Sequence, residues 1–446
     1  MPKPHQTARA AALKALMQVE QGSGYSNIVL DHALDGTGLN KMDKALVSAI
    51  FYGVLEKRLT LDYYISRCLS SPGRKPDPMA LMAIRCGAYQ ILFMDRVPDS
   101  AAVNETVQAI KSLGRAKLAG FVNGVLRGLI RKREGIGLPG GDSLKALSIR
   151  YSVPEDLIKL WIEGYGKTAA VQILDSLSEK PELFIRVNKM KCSVEELGLS
   201  LKEDGVKLNP VKELQYAAAL ENCGAPDSLE QFKNGMFHVQ DLSAQWVCRA
   251  LDPRPGETVC DCCAAPGGKT FTIAQDVGPE GKVYAFDLHE KRVDLIKDGA
   301  GRLGLGNITA RPGDAAKGLK GAPQADKVLC DVPCSGFGVI KRKPEIRYKD
   351  LKTLQGLPEL QYNILQSASR HVRPGGLLLY STCTLDPAEN SAVAERFLLE
   401  NNGYEPMNID IGVRRSIEEP EYMLTMMPFA GASDGFFVAA FRKRTG

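Results

Sequence analysis

The strongest constraint on the fold is a strand–helix periodicity that begins near Val239 and runs to the carboxyl end of the 446-residue chain. Short apolar runs at residues 258–261, 282–287, 308–312, 327–331, 377–381 and 435–442 read as strands. Helical stretches lie between most of them, including 360–372 and 388–401. Alternation of this kind predicts a parallel sheet with helices on both faces, a Rossmann-like α/β domain over residues 239–446. In such sheets ligands bind beyond the carboxyl ends of the strands, so the residues just after each strand are the candidates for chemistry.

The remainder of the chain has a different grammar. Leu46, Val47, Ile50, Phe51 and Val54 fall at helical spacing, as do Leu118, Phe121, Val122, Val125, Leu126, Leu129 and Ile130. With no strand-type alternation there, residues 1–140 are expected to form an all-helical domain. The glycine-rich run Gly135-Ile-Gly-Leu-Pro-Gly-Gly141 breaks the pattern and reads as a linker. Residues 141–238 are then expected to hold a short helix over 154–165 and a small α+β subdomain. That subdomain has a strand-like run at 183–188 and a helix opened by the capping box Ser193-x-x-Glu196. The expected fold class is multidomain: helical, small α+β, then α/β.

Apolar content of 44% and charged content of 24% exclude a disordered or fibrous chain. Lys3 and Arg9 are followed by no signal-like apolar core, and no stretch reaches the length of a membrane span, so a soluble, cytoplasmic protein is expected. The net charge of +5 is unevenly spread. Residues 1–140 hold 19 Lys+Arg against 11 Asp+Glu, and residues 141–446 hold 38 against 41. A basic surplus on the helical third points to a polyanionic partner held there, with a merely solvated basic surface as the alternative.

Eleven cysteines in a chain without an export signal argue against a disulfide framework. Cys260 and Cys263 stand alone at the C-x2-C spacing and the chain has only 5 His, so no metal site is expected. Cys68, Cys86, Cys192, Cys223 and Cys248 read as small buried hydrophobes, and Cys260, Cys262, Cys263 and Cys330 lie in or beside strands where packing accounts for them.

The strand ends carry the informative residues. The first strand runs into Asp261-Cys-Cys-Ala-Ala-Pro-Gly-Gly-Lys-Thr270 and then a helix, a layout in which glycine amides and a helix N-terminus approach a ligand. It lacks a dinucleotide G-x-G-x-x-G, and a phosphate-binding P-loop would need glycine where Cys263 stands. Asp287 ends the second strand, where a carboxylate can accept both hydroxyls of a ribose. Asp314 follows the third strand, within reach of an adenine amino group; for both carboxylates a helix-cap role is the alternative. Asp331-Val-Pro-Cys334 follows the fourth strand and Ser381-Thr-Cys383 the fifth. A thiol beside a nucleoside has a specific use: adding at C6 of cytosine, it makes C5 able to attack an electrophilic methyl group. A second thiol could then assist release, and Asp331 could hold the exocyclic amino group or N3.

Asp261 to Lys269, Asp331-Val-Pro-Cys334-Ser-Gly and Ser381-Thr-Cys383-Thr together resemble the RNA cytosine-5 methyltransferases that use S-adenosylmethionine. The resemblance spans roughly residues 145–446 and includes Phe184-Ile-Arg-Val-Asn188, His238-Val-Gln-Asp-Leu-Ser243 and Asp434-Gly-Phe-Phe437. The amino-terminal helices, with Phe121-Val-Asn-Gly-Val-Leu126, resemble the RNA-binding NusB antitermination factor. Their fusion is the architecture of the bacterial RsmB (Sun/Fmu) family, whose members methylate one cytosine of 16S ribosomal RNA. The resemblance implies S-adenosylmethionine as cofactor, 16S ribosomal RNA as partner and a monomer that touches no membrane. It makes Cys383 the nucleophile and Cys334 the thiol that aids release. Cys263, Ala264, Ala265, Pro266, Gly267, Gly268 and Lys269 would line the cofactor's amino-acid end, with Asp287 on the ribose, Asp314 near the adenine, and Asp331 between cofactor and cytosine. DNA cytosine-5 methyltransferases take their nucleophile from the Pro-Cys motif instead. Lys341-Arg-Lys343, Arg347 and Arg131-Lys-Arg133 are candidate RNA contacts, each with a solvated face as the alternative. The rival reading is a non-catalytic RNA-binding module whose sheet is a scaffold.

Overall fold

The computed structural model describes residues 7–22, 26–69, 76–429 and 434–445, so Lys3 of the amino-terminal segment lies outside the described residues. Two compact units emerge: Met1–Glu163 with Arg342–Lys349, and Gly164–Lys341 with Asp350–Gly446.

The first unit is helical, as its apolar spacing predicts. It holds α1 (Ala8–Glu20), α2 (Ser26–Leu34), α3 (Lys41–Glu56), α4 (Arg58–Ser66), α5 (Pro78–Phe93), α6 (Asp99–Ser112), α7 (Ala119–Lys132), α8 (Leu144–Tyr151) and the start of α9 (Glu155–Ser176). Asn40, Asp77 and Ser143 cap α3, α5 and α8 through their side-chain oxygens, and Pro78 occupies the first turn of α5, where no amide partner is needed. Val47, Ile50, Phe51 and Val54 of α3 meet Val122, Val125, Leu126 and Leu129 of α7 in one core, whereas Phe121 remains exposed. Arg85 is buried there and binds Asp62 through both Nε (2.7 Å) and Nη2 (2.8 Å), the bidentate geometry that satisfies a charge out of water. The helix expected over 154–165 is longer than its sequence signal: α9 breaks at Gly166 (φ 81°) and resumes to Ser176.

Residues 342–349 belong to this unit although they lie far away in sequence. Arg347 is buried, and its Nη1 donates to the carbonyls of Glu56 (3.1 Å), Tyr151 (3.4 Å) and Ser152 (3.4 Å). Tyr348 Oη donates to Leu55 O at 2.9 Å. The last carbonyls of α3 and α8, which have no partner inside their own helices, are thus capped by one cation, the sign their dipoles favour. Arg347 is therefore no RNA contact, correcting that expectation: three carbonyls hold it out of water. Arg133 is likewise engaged, by Asp99 (2.8 Å), and Lys132 donates to Arg67 O.

The second unit carries two sheets. The small one orders β1 (Leu183–Val187), β2 (Lys207–Pro210), β3 (Ala217–Glu221) and β4 (Phe237–Val239) as β2-β3-β1-β4, all antiparallel. It packs with α10 (Val194–Glu203), whose Ser193–Glu196 capping box forms as read, and lies near α11 (Glu230–Lys233). The large sheet contains β5 (Thr258–Asp261), β6 (Lys282–Asp287), β7 (Ile308–Pro312), β8 (Ala325–Asp331), β9 (Val372–Thr382), β10 (Tyr404–Pro406), β11 (Met423–Met426) and β12 (Phe436–Lys443). Its order is β10-β12-β9-β8-β5-β6-β7, with β11 also paired to β12. Strands β5 to β9 run parallel, and β12 lies antiparallel to β9. Around them pack α12 (Leu242–Leu251), α13 (Gly268–Val277), α14 (Glu290–Leu303), α15 (Leu357–Ser369) and α16 (Ser391–Glu400). From β5 the chain winds outward to β6 and β7, then returns to the other side for β8 and β9. That reversal opens a crevice beyond the ends of β5 and β8, where such sheets bind ligands. Among the described residues no helix is long and apolar enough to cross a membrane.

Candidate active site

Register brings the motifs together. Asp331 at the end of β8 lies opposite Ser381 of β9, so the two chains continue side by side into Pro333-Cys334 and Thr382-Cys383. The sulfurs of Cys334 and Cys383 end 3.3 Å apart. Both loops are pinned: the Gly338 amide donates to Cys383 O (3.0 Å) and the Gly435 amide to Gly338 O (2.8 Å). A Cβ on Gly338 would stand 1.8 Å from Gly435 O, so only glycine permits this approach. The hydrogen bond with Cys383, and burial after it, hold the Cys334 thiol well above its ordinary range. Cys334 therefore stays a neutral thiol beside the Cys383 sulfur.

Asp331 is shared. Its Oδ2 accepts from Lys269 Nζ and its Oδ1 from Ser381 Oγ, both at 2.7 Å. Burial alone would lower the Lys269 pKa, but the charge and hydrogen bond of Asp331 outweigh it and the net shift is upward. The ammonium also lies 5.2 Å from the Phe436 ring centroid, a cation–π distance. Lys269 is delivered by the turn between β5 and α13. Gly267 there adopts φ 113°, and a Cβ on it would meet the Phe271 ring at 2.3 Å. Only glycine fits that place, and it lets the loop fold tightly under the crevice.

Asp261 closes β5 and is fully buried. Thr270 Oγ1 donates to its Oδ2 (2.7 Å), while its buried Oδ1 has no hydrogen-bond partner. Burial pushes this carboxyl up to about 7, with the charge of Asp331 adding and the Thr270 bond opposing. Burial and the carboxylates of Asp261, Asp331 and Asp287 also keep the Cys263 thiol neutral. Asp287 is buried at the end of β6, accepting from the amides of Ala265 (3.3 Å) and His289 (3.2 Å), with Arg292 Nη1 at 3.4 Å. Asp314 accepts from the Ala316 amide and pairs with Lys317, whose hydrogen bond holds it below its usual range. Each carboxylate accepts from the amide two residues on, a local turn and not the helix cap that was the alternative: α14 starts after His289 without a side-chain cap, and no helix follows Asp314 directly. Asp287 also faces the same loop as Ala265.

The residues fit a nucleoside-bearing amino acid. The orphaned carboxylate oxygen of Asp261 suits an ammonium, the Gly267–Gly268 turn opens backbone room, and Asp287 offers its carboxylate one strand away. Asp261, Ser381, Phe436 and Gly338 were not among the expected site residues. Asp261 headed the quoted motif, and a strand-end acid followed by small residues was its available signal. Phe436 belongs to the quoted Asp434-Gly-Phe-Phe437 run, but nothing in the sequence set it against Lys269, because the contact comes from an antiparallel strand about 170 residues further on. Cys260, Cys262 and Cys330 are fully buried in the sheet's core, and burial pushes Cys86 and Cys248 up to about 12, leaving them inert. Lys341, read as an RNA contact, is paired with Glu179 (3.0 Å). A cavity of about 500 Å³ lined by Arg186, Tyr216, Arg249 and Arg254 lies by the amino end of β5, away from these groups.

Three family models match the chain: NusB family over residues 6–131, the ferredoxin-like domain of RsmF/B-like methyltransferases over 153–225, and 16S rRNA methyltransferase RsmB/F over 248–442. The chain is 36% identical over 451 residues to the probable ribosomal RNA small subunit methyltransferase B of Bacillus subtilis (strain 168), covering 98% of this chain and 99% of that one. It is 35% identical over 444 residues to the protein of the same description from Synechocystis sp., again covering 98% and 99%. Among solved structures, the crystal structure of PH0851 superposes with a TM-score of 0.84 at 26% identity, covering 99% of this chain and 100% of that one.

Proposed function

Because the chain belongs to the RsmB/F family of 16S rRNA methyltransferases, we propose that it methylates C5 of a cytosine in 16S ribosomal RNA through a covalent cysteine–C6 adduct. It is an S-adenosylmethionine-dependent methyltransferase of small-subunit ribosomal RNA. The observation that carries the finer reading is the 3.3 Å pairing of Cys334 with Cys383 beside the Lys269–Asp331 pair.

When bound, S-adenosylmethionine supplies an electrophilic methyl group. The Asp261 carboxylate would hold its ammonium, Asp287 its ribose, and the turn from Cys263 to Gly268 its amino-acid end, with Asp314 toward its adenine. The Cys383 sulfur adds as the thiolate to C6 of the cytosine; the negative charge this pushes toward N3 is offset by the Lys269 ammonium, while Asp331 accepts from the exocyclic amino group. C5 becomes nucleophilic, is methylated, and loses its proton to a base; the C5=C6 bond re-forms and the C6–S bond breaks. The Cys334 S–H, at hydrogen-bond distance, stabilises the departing Cys383 thiolate.

The test uses labelled S-adenosylmethionine and an unmodified 16S rRNA transcript, with the product digested to nucleosides. Label in 5-methylcytidine is expected from the wild type and a loss of at least ~10³-fold from Cys383→Ala. Label in another nucleoside, or full activity of Cys383→Ala, overturns the reading. Cys334→Ala is expected to accumulate an enzyme–RNA adduct that survives a denaturing gel; its absence removes the release role.

A further inference from the structure

One dipeptide reaches both cysteine loops. Glu389 and Asn390 lie in the turn that leads from β9 into α16, and both side chains are buried. Glu389 Oε2 accepts from the Ser335 amide (2.9 Å) and from Gln361 Nε2 (2.7 Å). That same Gln361 nitrogen donates to Pro333 O (2.9 Å). The residues on either side of Cys334 are therefore both tied to Glu389, one directly and one through Gln361. Asn390 does the same for the other loop. Its Oδ1 accepts from Thr382 Oγ1 (2.6 Å) and its Nδ2 donates to Thr384 O (3.0 Å), so the neighbours of Cys383 are held on both sides. The Tyr380 hydroxyl donates to Glu389 O (2.5 Å), fixing the backbone between the two grips.

A carboxylate excluded from water carries a large desolvation cost that its hydrogen bonds must offset. Here both of its named partners are N–H donors that converge on one oxygen. A carboxylate accepts both without presenting a donor of its own, which a Gln amide cannot guarantee.

We propose that Glu389–Asn390 is the positioning clamp that sets the spacing of the two active-site thiols, Glu389 through the Cys334 loop and Asn390 through the Cys383 loop. The assignment of consequences rests on the covalent reading above; the spacing itself does not. The prediction is a split. Loss of the Glu389 grip displaces Cys334 and impairs release, whereas loss of the Asn390 grip displaces Cys383 and impairs adduct formation.

Two measurements on the full-length protein test it. In the first, diamide takes two electrons and two protons from the thiols, becoming the hydrazine and leaving a Cys334–Cys383 disulfide that peptide mass spectrometry follows over time. Glu389→Gln and Asn390→Ala should each slow that disulfide at least about tenfold with the other cysteines reacting as in wild type. Wild-type rates in both variants overturn the clamp. In the second, with S-adenosylmethionine and the 16S rRNA transcript, Glu389→Gln should accumulate adduct as Cys334→Ala does, and Asn390→Ala should lower adduct and methylation together. Adduct in Cys334→Ala but none in Glu389→Gln overturns the split, whereas no adduct in Cys334→Ala removes the release role on which the split rests and leaves the disulfide rates to judge the clamp. Should Asn390→Ala unfold, Asn390→Asp keeps the acceptor for Thr382 and removes the donor to Thr384; unchanged disulfide rates there overturn the Asn390 half.

Discussion

Arg347 in the helical unit and Lys269 in the sheet unit are both cations taken out of water, and they are satisfied in opposite ways. Arg347 meets three carbonyls at the ends of α3 and α8, and burial lowers its pKa. Lys269 meets one carboxylate at 2.7 Å, and that partner raises its pKa despite burial. Helix-end dipoles cannot be exchanged for anything else, so Arg347 is a fastening. Asp331 keeps 27% of its side chain exposed at a strand end that faces the ligand crevice, so the Lys269–Asp331 pair can share its charges with an arriving base. What separates structure from chemistry here is whether the partner of a buried charge is still open to a ligand.

Lys269→Met breaks that contrast most forcefully. It leaves Asp331 uncompensated, and removing one member of such a pair typically costs about 3–5 kcal/mol. Methyl transfer should fall about 100-fold or more, the scale for losing one preorganised charge at a reacting centre. Urea denaturation and labelled-methyl transfer check the two effects. Lys269→Met combined with Asp331→Ser should regain stability but not activity; a double variant that regains both would reduce the pair to a fastening like Arg347.

Asp261 sharpens the contrast through pH. Its folded pKa of about 7 lies above the ordinary 3.8. As pH rises from about 4 to about 7 the unfolded chain has released this proton while the folded chain still binds it, so stability falls across that window and levels off above it. Each pH unit of that window removes about 1.4 kcal/mol, so the whole loss is on the order of a few kcal/mol. An ammonium at Oδ1 favours the ionised carboxylate, so the thermal stabilisation given by S-adenosylmethionine should grow from pH 6 to pH 8. Asp261→Asn should flatten both trends. A cofactor effect independent of pH in the wild type would remove Asp261 from the cofactor's ammonium.

Much of this was legible in the sequence because short-range patterns encode it. The candidate strands from 258–261 to 377–381 appear as the parallel part of the sheet, since apolar runs between helices leave it few alternatives, whereas 435–442 pairs antiparallel and the short strands β10 and β11 beside it were not read. Cys334 and Cys383 were readable as strand-end thiols; their 3.3 Å approach was not, because it depends on the pairing of Asp331 with Ser381 across two strands. Asp287 and Asp314 show the limit of the same rule: strand-end carboxylates were expected to face a ligand, and both also spend oxygens on backbone amides. Arg347 was misread for a similar reason. A basic residue in a basic run looks solvated, and nothing nearby in sequence reveals two helix ends about 200 and 290 residues away that need a donor.

Arg347→Met gives the smallest effect and the cleanest contrast with Lys269→Met. The methionine matches the aliphatic bulk but donates nothing, so the carbonyls of Glu56, Tyr151 and Ser152 lose a shared partner. Leaving buried acceptors unsatisfied costs about 1–3 kcal/mol, and relief of the buried cation's desolvation offsets part of that. The unfolding midpoint should therefore drop by a few degrees, while S-adenosylmethionine affinity, measured by calorimetry, stays within about twofold of wild type because no charge in the crevice has changed. Arg347→Lys should fare little better than methionine, since a single ammonium cannot reproduce the planar fork that faces three carbonyls. If Arg347→Met instead weakened cofactor binding as strongly as Lys269→Met, the two cations would belong to one functional network and the distinction between fastening and chemistry would fall.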